Sequence, residues 1–437
     1  MLTVSVFAGA GLAAYAQSGE YLSYTPYSIY GIGDLSQQGS AYNRGMGGVG
    51  IASRNVKYLN SLNPAAVTAR DSLSVMMDFS VANNNTLFMQ TVDGQRIKSA
   101  HNSTNISSIA FSTPIWKNLA GMVGMTPYSS QGYGYRTRET DPVEIARNGV
   151  IDYYDYGQGS LYKLYGSAGY YFNKHLSVGA EFDYIFGNFN KYFTEVFEKS
   201  GRNTVSDAYD MNLHAITGKF GVQSEFNMGK KWTVGFGGTY SLASNLRGTV
   251  GYLHQSVGTA ETITVSSSVD TLANHLGAVR IAPELGLGIS VRYLDKFRAE
   301  VDYTRSDWRK SGMDVTEGFA NSASRTPFTS SVRQSLRAGM EYLPNAYDMR
   351  YHWKRCSYRL GAYYNTEYYK VGGSDVNSIG ITLGATIPIY QWYNGLSIGV
   401  DLGQRGTLDN SLIRERYVKV CVGVNIFDIW FLKYRYE

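Results

Sequence analysis

Five carboxylates, Asp78, Glu181, Asp183, Glu300 and Asp302, have the residue types for general acid and base chemistry. Glu181 and Asp183, like Glu300 and Asp302, are two residues apart, so in an extended segment both acids of a pair project from one face. The six histidines, His101, His175, His214, His254, His275 and His352, are scattered, and they form no metal-ligand pair and no Cys/His arrangement. No Ser-nucleophile elbow is present either. The simpler reading is that the acids pair with Arg298, Arg333 and Arg337 across neighbouring strands and so satisfy charge inside a barrel. The sequence therefore reads as no enzyme, with no catalytic residue, no cofactor-binding residue and no metal ligand.

The elements that position these acids are strands with two different solvents on their two sides. Val418, Val420, Val422, Val424 and Ile426 alternate with Lys419, Cys421, Gly423 and Asn425, and similar alternation recurs along most of the chain. Leu176, Val178, Ala180, Phe182, Tyr184 and Phe186 oppose Ser177, Gly179, Glu181 and Asp183, so the acids point to a wet lumen and the apolar set to lipid. Mean hydropathy is only -0.24 over 437 residues, and past the N-terminus no run of about 18 apolar residues offers a transmembrane helix. A barrel dilutes its apolar signal by half. The 48 Gly, 37 Tyr and 9 Pro agree with one, since Tyr suits membrane interfaces.

Counting the alternating segments predicts an all-β fold, a 14-stranded antiparallel transmembrane β-barrel over residues 71–437. Its connections should alternate, long after the first, third, fifth, seventh and ninth strands and short after the others. Asp141-Pro142-Val143-Glu144 reads as a capped helix start in one long loop. The formal charge of +5 is spread along the chain and argues for no nucleic-acid partner. Cys356 and Cys421 make no disulfide framework, and their parities suggest opposite faces. Residues 1–16, ending Ala14-Tyr15-Ala16, read as a secretory signal peptide.

Residues 17–70 do not alternate and read as a plug. They hold the Gly-rich stretch Gly45, Gly47, Gly48 and Gly50, followed by Asn63, Pro64 and Ala65. No strand precedes the glycines and no Lys-Ser/Thr follows, so a phosphate loop is not indicated. Glycine there lets backbone pack closely in a crowded lumen.

With the strand count and Trp430-Phe431-Leu432-Lys433 at the far end, these residues resemble the FadL/TodX family of outer-membrane transporters, and Bacteroidetes-type members in particular. The resemblance implies a barrel plugged by an N-terminal hatch around Gly45, Gly47, Gly48, Asn63, Pro64 and Ala65. It also implies uptake of a hydrophobic, fatty-acid-like small molecule and sideways release beside a kinked third strand. Gly121, Gly124 and Pro127 are the candidates for that kink and lateral opening. The expected surroundings are outer-membrane lipid. Tyr-rich loops such as Gln131 to Tyr135 and Asp152 to Tyr156 have instead the composition of protein-binding surfaces. The alternative is therefore a FadL-like, non-transporting subunit of an outer-membrane secretion or barrel-assembly complex, with protein partners.

Overall fold

A computed structural model describes residues 23–70, 73–92, 94–173, 175–198, 203–257, 263–271, 279–316, 318–320, 328–390, 394–409 and 412–430. The signal peptide expected at residues 1–16 and the closing residues after Trp430 lie outside the described residues.

The wall consists of β1 (Ser74–Val92), β2 (Gln95–Trp116), β3 (Leu119–Arg138), β4 (Ile151–Asn173), β5 (Leu176–Phe197), β6 (Thr204–Met228) and β7 (Trp232–Ser241). It continues through β8 (Glu284–Tyr293), β9 (Phe297–Asp307), β10 (Val332–Tyr342), β11 (Ser357–Val371), β12 (Ser374–Tyr390), β13 (Asn394–Arg405) and β14 (Arg414–Ile429). Each strand pairs antiparallel with the next, and β1 pairs with β14 from Ser74↔Ile429 to Met89↔Arg414, closing a 14-strand barrel.

Parity separates the two faces as the sequence predicts. Phe182, Ile216, Leu287, Leu336 and Ile381 point outward and are each more than half exposed, whereas Glu181, Asp183, Glu300 and Asp302 point inward and are buried. An outer girdle of exposed apolar residues is what hydrocarbon requires of a wall whose backbone is already paired.

Expectations about connections need correction in both directions. The links after the first and fifth strands are not long loops: β1 runs to Val92 and β2 restarts at Gln95, and β5 runs to Phe197 and β6 restarts at Thr204. Strand pairing carries on where the apolar alternation has stopped, because above the lipid both faces meet water. The strands β4, β5 and β6 run 23, 22 and 25 residues, although about 10 suffice to cross a bilayer. Conversely, the link from β10 to β11 is not short. It runs from Leu343 to Cys356, and Asp348 Oδ1 accepts from Arg350 N and Tyr351 N, which holds the Asp348 carboxyl below its ordinary range. The helix expected from Asp141 forms at Pro142–Asn148, with the Asp141 side chain accepting from Val143 N. Cys356 and Cys421 are both free thiols.

The N-terminal segment from Tyr24 to Arg70 runs inside this wall, and glycines make room for it. A Cβ at Gly179 would strike Pro64, one at Gly221 the Asn63 side chain, one at Gly237 Ile51, and one at Gly361 Gly47. At Gly384 it would come 2.8 Å from the Gly45 Cα, and at Gly423 it would come 2.8 Å from the Ala41 Cβ. From β5 round to β14, inward-facing glycines form a shallow belt that receives backbone of the segment.

Candidate functional site: a split wall and the chambers behind it

The expected hatch residues meet in two small knots. Asn63, fully buried, caps the 3-10 turn Pro64–Thr68 by accepting from Ala65 N at 3.0 Å, with Pro64 at its first position. Its amide donates to Ile51 O at 2.8 Å and to Val222 O on β6 at 3.2 Å, so one side chain joins two parts of the segment to the wall. Gly47 and Gly48 have φ of +74° and +80°, which side chains with a Cβ rarely adopt, and Gly47 N donates to Thr382 Oγ1 at 2.7 Å. Gly45 is needed for a different reason, its close approach to Gly384 and Gly399.

Lumen charges mostly serve the segment, which corrects the expected acid-arginine network. Asp302 Oδ2 accepts from Gly50 N at 2.7 Å and Ile51 N at 3.0 Å. Arg337 donates to Gly47 O, Lys219 to Leu62 O, and Gln223 to Ile51 O. Glu181 and Asp183 pair with Lys163 at 3.1 and 3.7 Å, and only Glu300 meets one of the three expected arginines, Arg298, at 3.6 Å. Asp78 accepts from the Ser80 hydroxyl two residues along its own strand. Of the acids spaced for catalysis, Asp302 is thus spent on backbone amides and the others on Lys163, Arg298 and Ser80, which sequence spacing alone does not reveal. Sequence reasoning also missed Arg405, which is buried against Asp34 at 2.6 Å, Glu415 at 2.8 Å and Glu367 at 3.5 Å.

The wall is split between β2 and β3. Their ladder runs only from Trp116↔Leu119 to Ile109↔Met125. Above it, β3 loses its alternation: Thr126, Pro127 and then Ser129 to Tyr133 are all buried, because the strand bends into the lumen. The register against β4 shifts between Pro127 and Ser129, which leaves Tyr128 as the extra residue. Pro127 has no N–H to contribute to a ladder. Gly121 and Gly124 lie below the split, inside the regular ladder, where a Cβ would press on Ile115 and on the Tyr165 ring respectively.

The edge that β3 turns away from β2 is taken by the chain itself. Asp34↔Ser130 and Leu35↔Ser129 pair as strands, Thr25 N donates to Gly132 O, and Ser36 N donates to Tyr128 O. Ser28 Oγ accepts from Gly132 N at 3.0 Å and donates to Thr25 O at 2.7 Å.

Behind the split lies a chamber of about 140 Å³, bounded by Asn105 and Ser107 of β2, Pro127 of β3, and the charged Arg44, Asp401 and Lys419. A larger recess of about 1000 Å³ opens at the lower rim, among Arg54, Arg70, Lys117, Arg292 and Trp116. A chamber of about 170 Å³ lies among Ile51, Leu62, Ile185, Lys163, Asp183 and Arg337, and above it an apolar cluster fills the lumen. Tyr27, Ile29, Tyr30 and Ile32 of the segment pack with Trp308, Met313 and Phe319 from the β9–β10 connection and with Tyr368 and Tyr369 of β11, closing the upper mouth.

The pattern that defines the BamG family matches residues 1–437 of this chain. No functionally curated protein matches it. Among solved structures it is similar to the Ralstonia pickettii toluene transporter TbuX, with 15% identity, TM-score 0.58, and coverage of 89% of this chain and 98% of that one. The P. putida toluene transporter TodX is similar too, at 11% identity and TM-score 0.61, covering 92% of this chain and 100% of TodX. A FadL homologue from Pseudomonas aeruginosa has 12% identity and TM-score 0.56, with coverage of 91% and 99%.

Proposed function

Because the chain belongs to the BamG family and shares the fold of the TodX-type barrels, we propose that it is an outer-membrane barrel acting as a non-transporting subunit of a larger protein-secretion or barrel-assembly complex. In this reading residues 1–16 are a signal peptide, 17–70 a permanent plug and 71–437 the barrel.

One observation carries the proposal: an apolar cluster fills the upper mouth of the lumen, and the chamber behind the split presents charge. An apolar solute gains by leaving water for lipid, and gains nothing by entering a chamber lined with Arg44, Asp401 and Lys419. A segment held by Asp302, Arg337, Lys219 and Gln223 suits a fixed scaffold, because moving it would strand several buried polar groups at once. Extraction from membranes in a gentle detergent, followed by sizing and quantitation of bound proteins, tests the reading. A partner at constant stoichiometry is expected, and a lone monomer would overturn it.

A second reading, passive uptake of a hydrophobic small molecule with lateral release, is favoured by one feature, the chamber that touches both sides of the split. It predicts an amphiphile in the mass spectrum of the purified barrel and toluene entry into proteoliposomes. Entry no faster than in protein-free liposomes would remove it.

A further inference from the structure

The split creates two strand edges, and among the described residues the chain adds a strand to only one of them. We propose that the other, the edge of β2 over residues 102–108, binds an extended segment of a partner protein by strand addition. The inference rests on the complex-subunit reading and names how the partner docks.

Among the described residues, 102–108 have a ladder partner only on β1, while the strand that should flank them bends inward. The register sets this stretch level with the top of the apolar belt: Asn83 and Asn85 of β1 face Thr104 and Asn102 on one side and Val420 and Val418 of β14 on the other. Open strand edges do not persist against lipid, because each unpaired amide or carbonyl there costs several kcal/mol. The edge lines the chamber through Asn105 and Ser107, so it meets water or a polar partner there rather than lipid.

The outer face beside it is also not built for hydrocarbon. Where β14 presents Val418, Val420 and Val422, the neighbouring face presents Asn83, Asn85, Asn102 and Thr104, joined in a chain of side-chain hydrogen bonds. Such a ladder on a lipid face costs stability unless a polar partner lies against it. An extended polypeptide meets both needs at once, pairing its backbone with the edge and its polar side chains with the asparagines.

Charge selects the kind of segment. β2 carries no Asp or Glu from Gln95 to Trp116, and Arg96 and Lys98 stand exposed above the open stretch. The docking segment should be neutral to acidic, without a cluster of Lys or Arg. A small solute passing through the split would leave the amides of 102–108 unpaired; a strand would not.

Amide hydrogen exchange on the full-length barrel, alone and in its gently extracted complex, decides the matter. In the complex, amides within 102–108 should slow at least about tenfold, while those at 129–132, already paired with the N-terminal segment, should change little. A stoichiometric complex in which 102–108 exchange as in the lone barrel overturns strand addition and leaves the subunit reading standing. Absence of any complex overturns both. As a second readout, a photo-crosslinker at Thr104 should capture one extended segment of the partner, and one at Phe182 on the far wall should not; equal capture at both positions also overturns the proposal.

Discussion

β2 and β3 part at the same height, yet their freed edges differ in kind. The edge of β3 is sheathed by residues 25–36 of its own chain, with strand pairing, a serine bridge and a buried arginine behind it. Among the described residues the edge of β2 over 102–108 has no strand partner besides β1; Tyr24 stacks on His101 beside it, and its outer face carries asparagines. A barrel that opens its wall for structural reasons alone has cause to cover both edges. Covering one and leaving the other polar and basic is the arrangement of a socket.

The strongest way to break this contrast is to unsheathe β3. Arg405→Ala removes the cation shared by Asp34, Glu415 and Glu367 and should cost about 3–5 kcal/mol, read from denaturant unfolding of the detergent-folded barrel. Exchange at 129–132 should rise towards that of 102–108 in the lone barrel. Gly33 has φ +83°, and a Cβ there would run into the Ser130 carbonyl, so Gly33→Val should cost about 2–3 kcal/mol and loosen the same residues.

A smaller change sharpens the comparison. Ser28→Ala leaves Gly132 N–H without its side-chain acceptor and should cost about 1 kcal/mol, with faster exchange at Gly132 and none of the Arg405→Ala effect at lower positions. Pro127→Ala should have the least effect, below about 1 kcal/mol. Gln38 still donates to the carbonyl of residue 127, and Ser36 N to that of Tyr128. Spin labels at Asn105 and Thr126 should keep their separation in that variant; a collapse of the gap would show that proline alone holds β3 away.

How much of this was legible in the sequence follows from what sets each feature. Alternation sets the wall, so the 14 strands and the inward acids could be read directly. The second strand reads weakly because Ser107 is an extra residue against β1, between the pairs Ser80↔Ser108 and Val81↔Ile106, and it reverses parity partway along. The upper strand extensions look like loops in the sequence, since a strand wet on both faces shows no period. Asp302 and Arg405 have partners as distant in sequence as Gly50 and Asp34, and only the folded register shows that Asp302 binds backbone while Arg405 binds three acids.

The belt of wall glycines also bears on timing. Asn63, Gly47, Gly45 and Ala41 rest on strands from β6 to β14, so the part of the chain synthesised earliest finds its seats only as the last strands arrive. Such long-range contacts delay folding. A wall that closed before the segment entered would hold a ring of empty grooves, and opening it again would mean breaking a whole strand seam. For this protein the order of events, segment first and seam last, is written into where its side chains are missing.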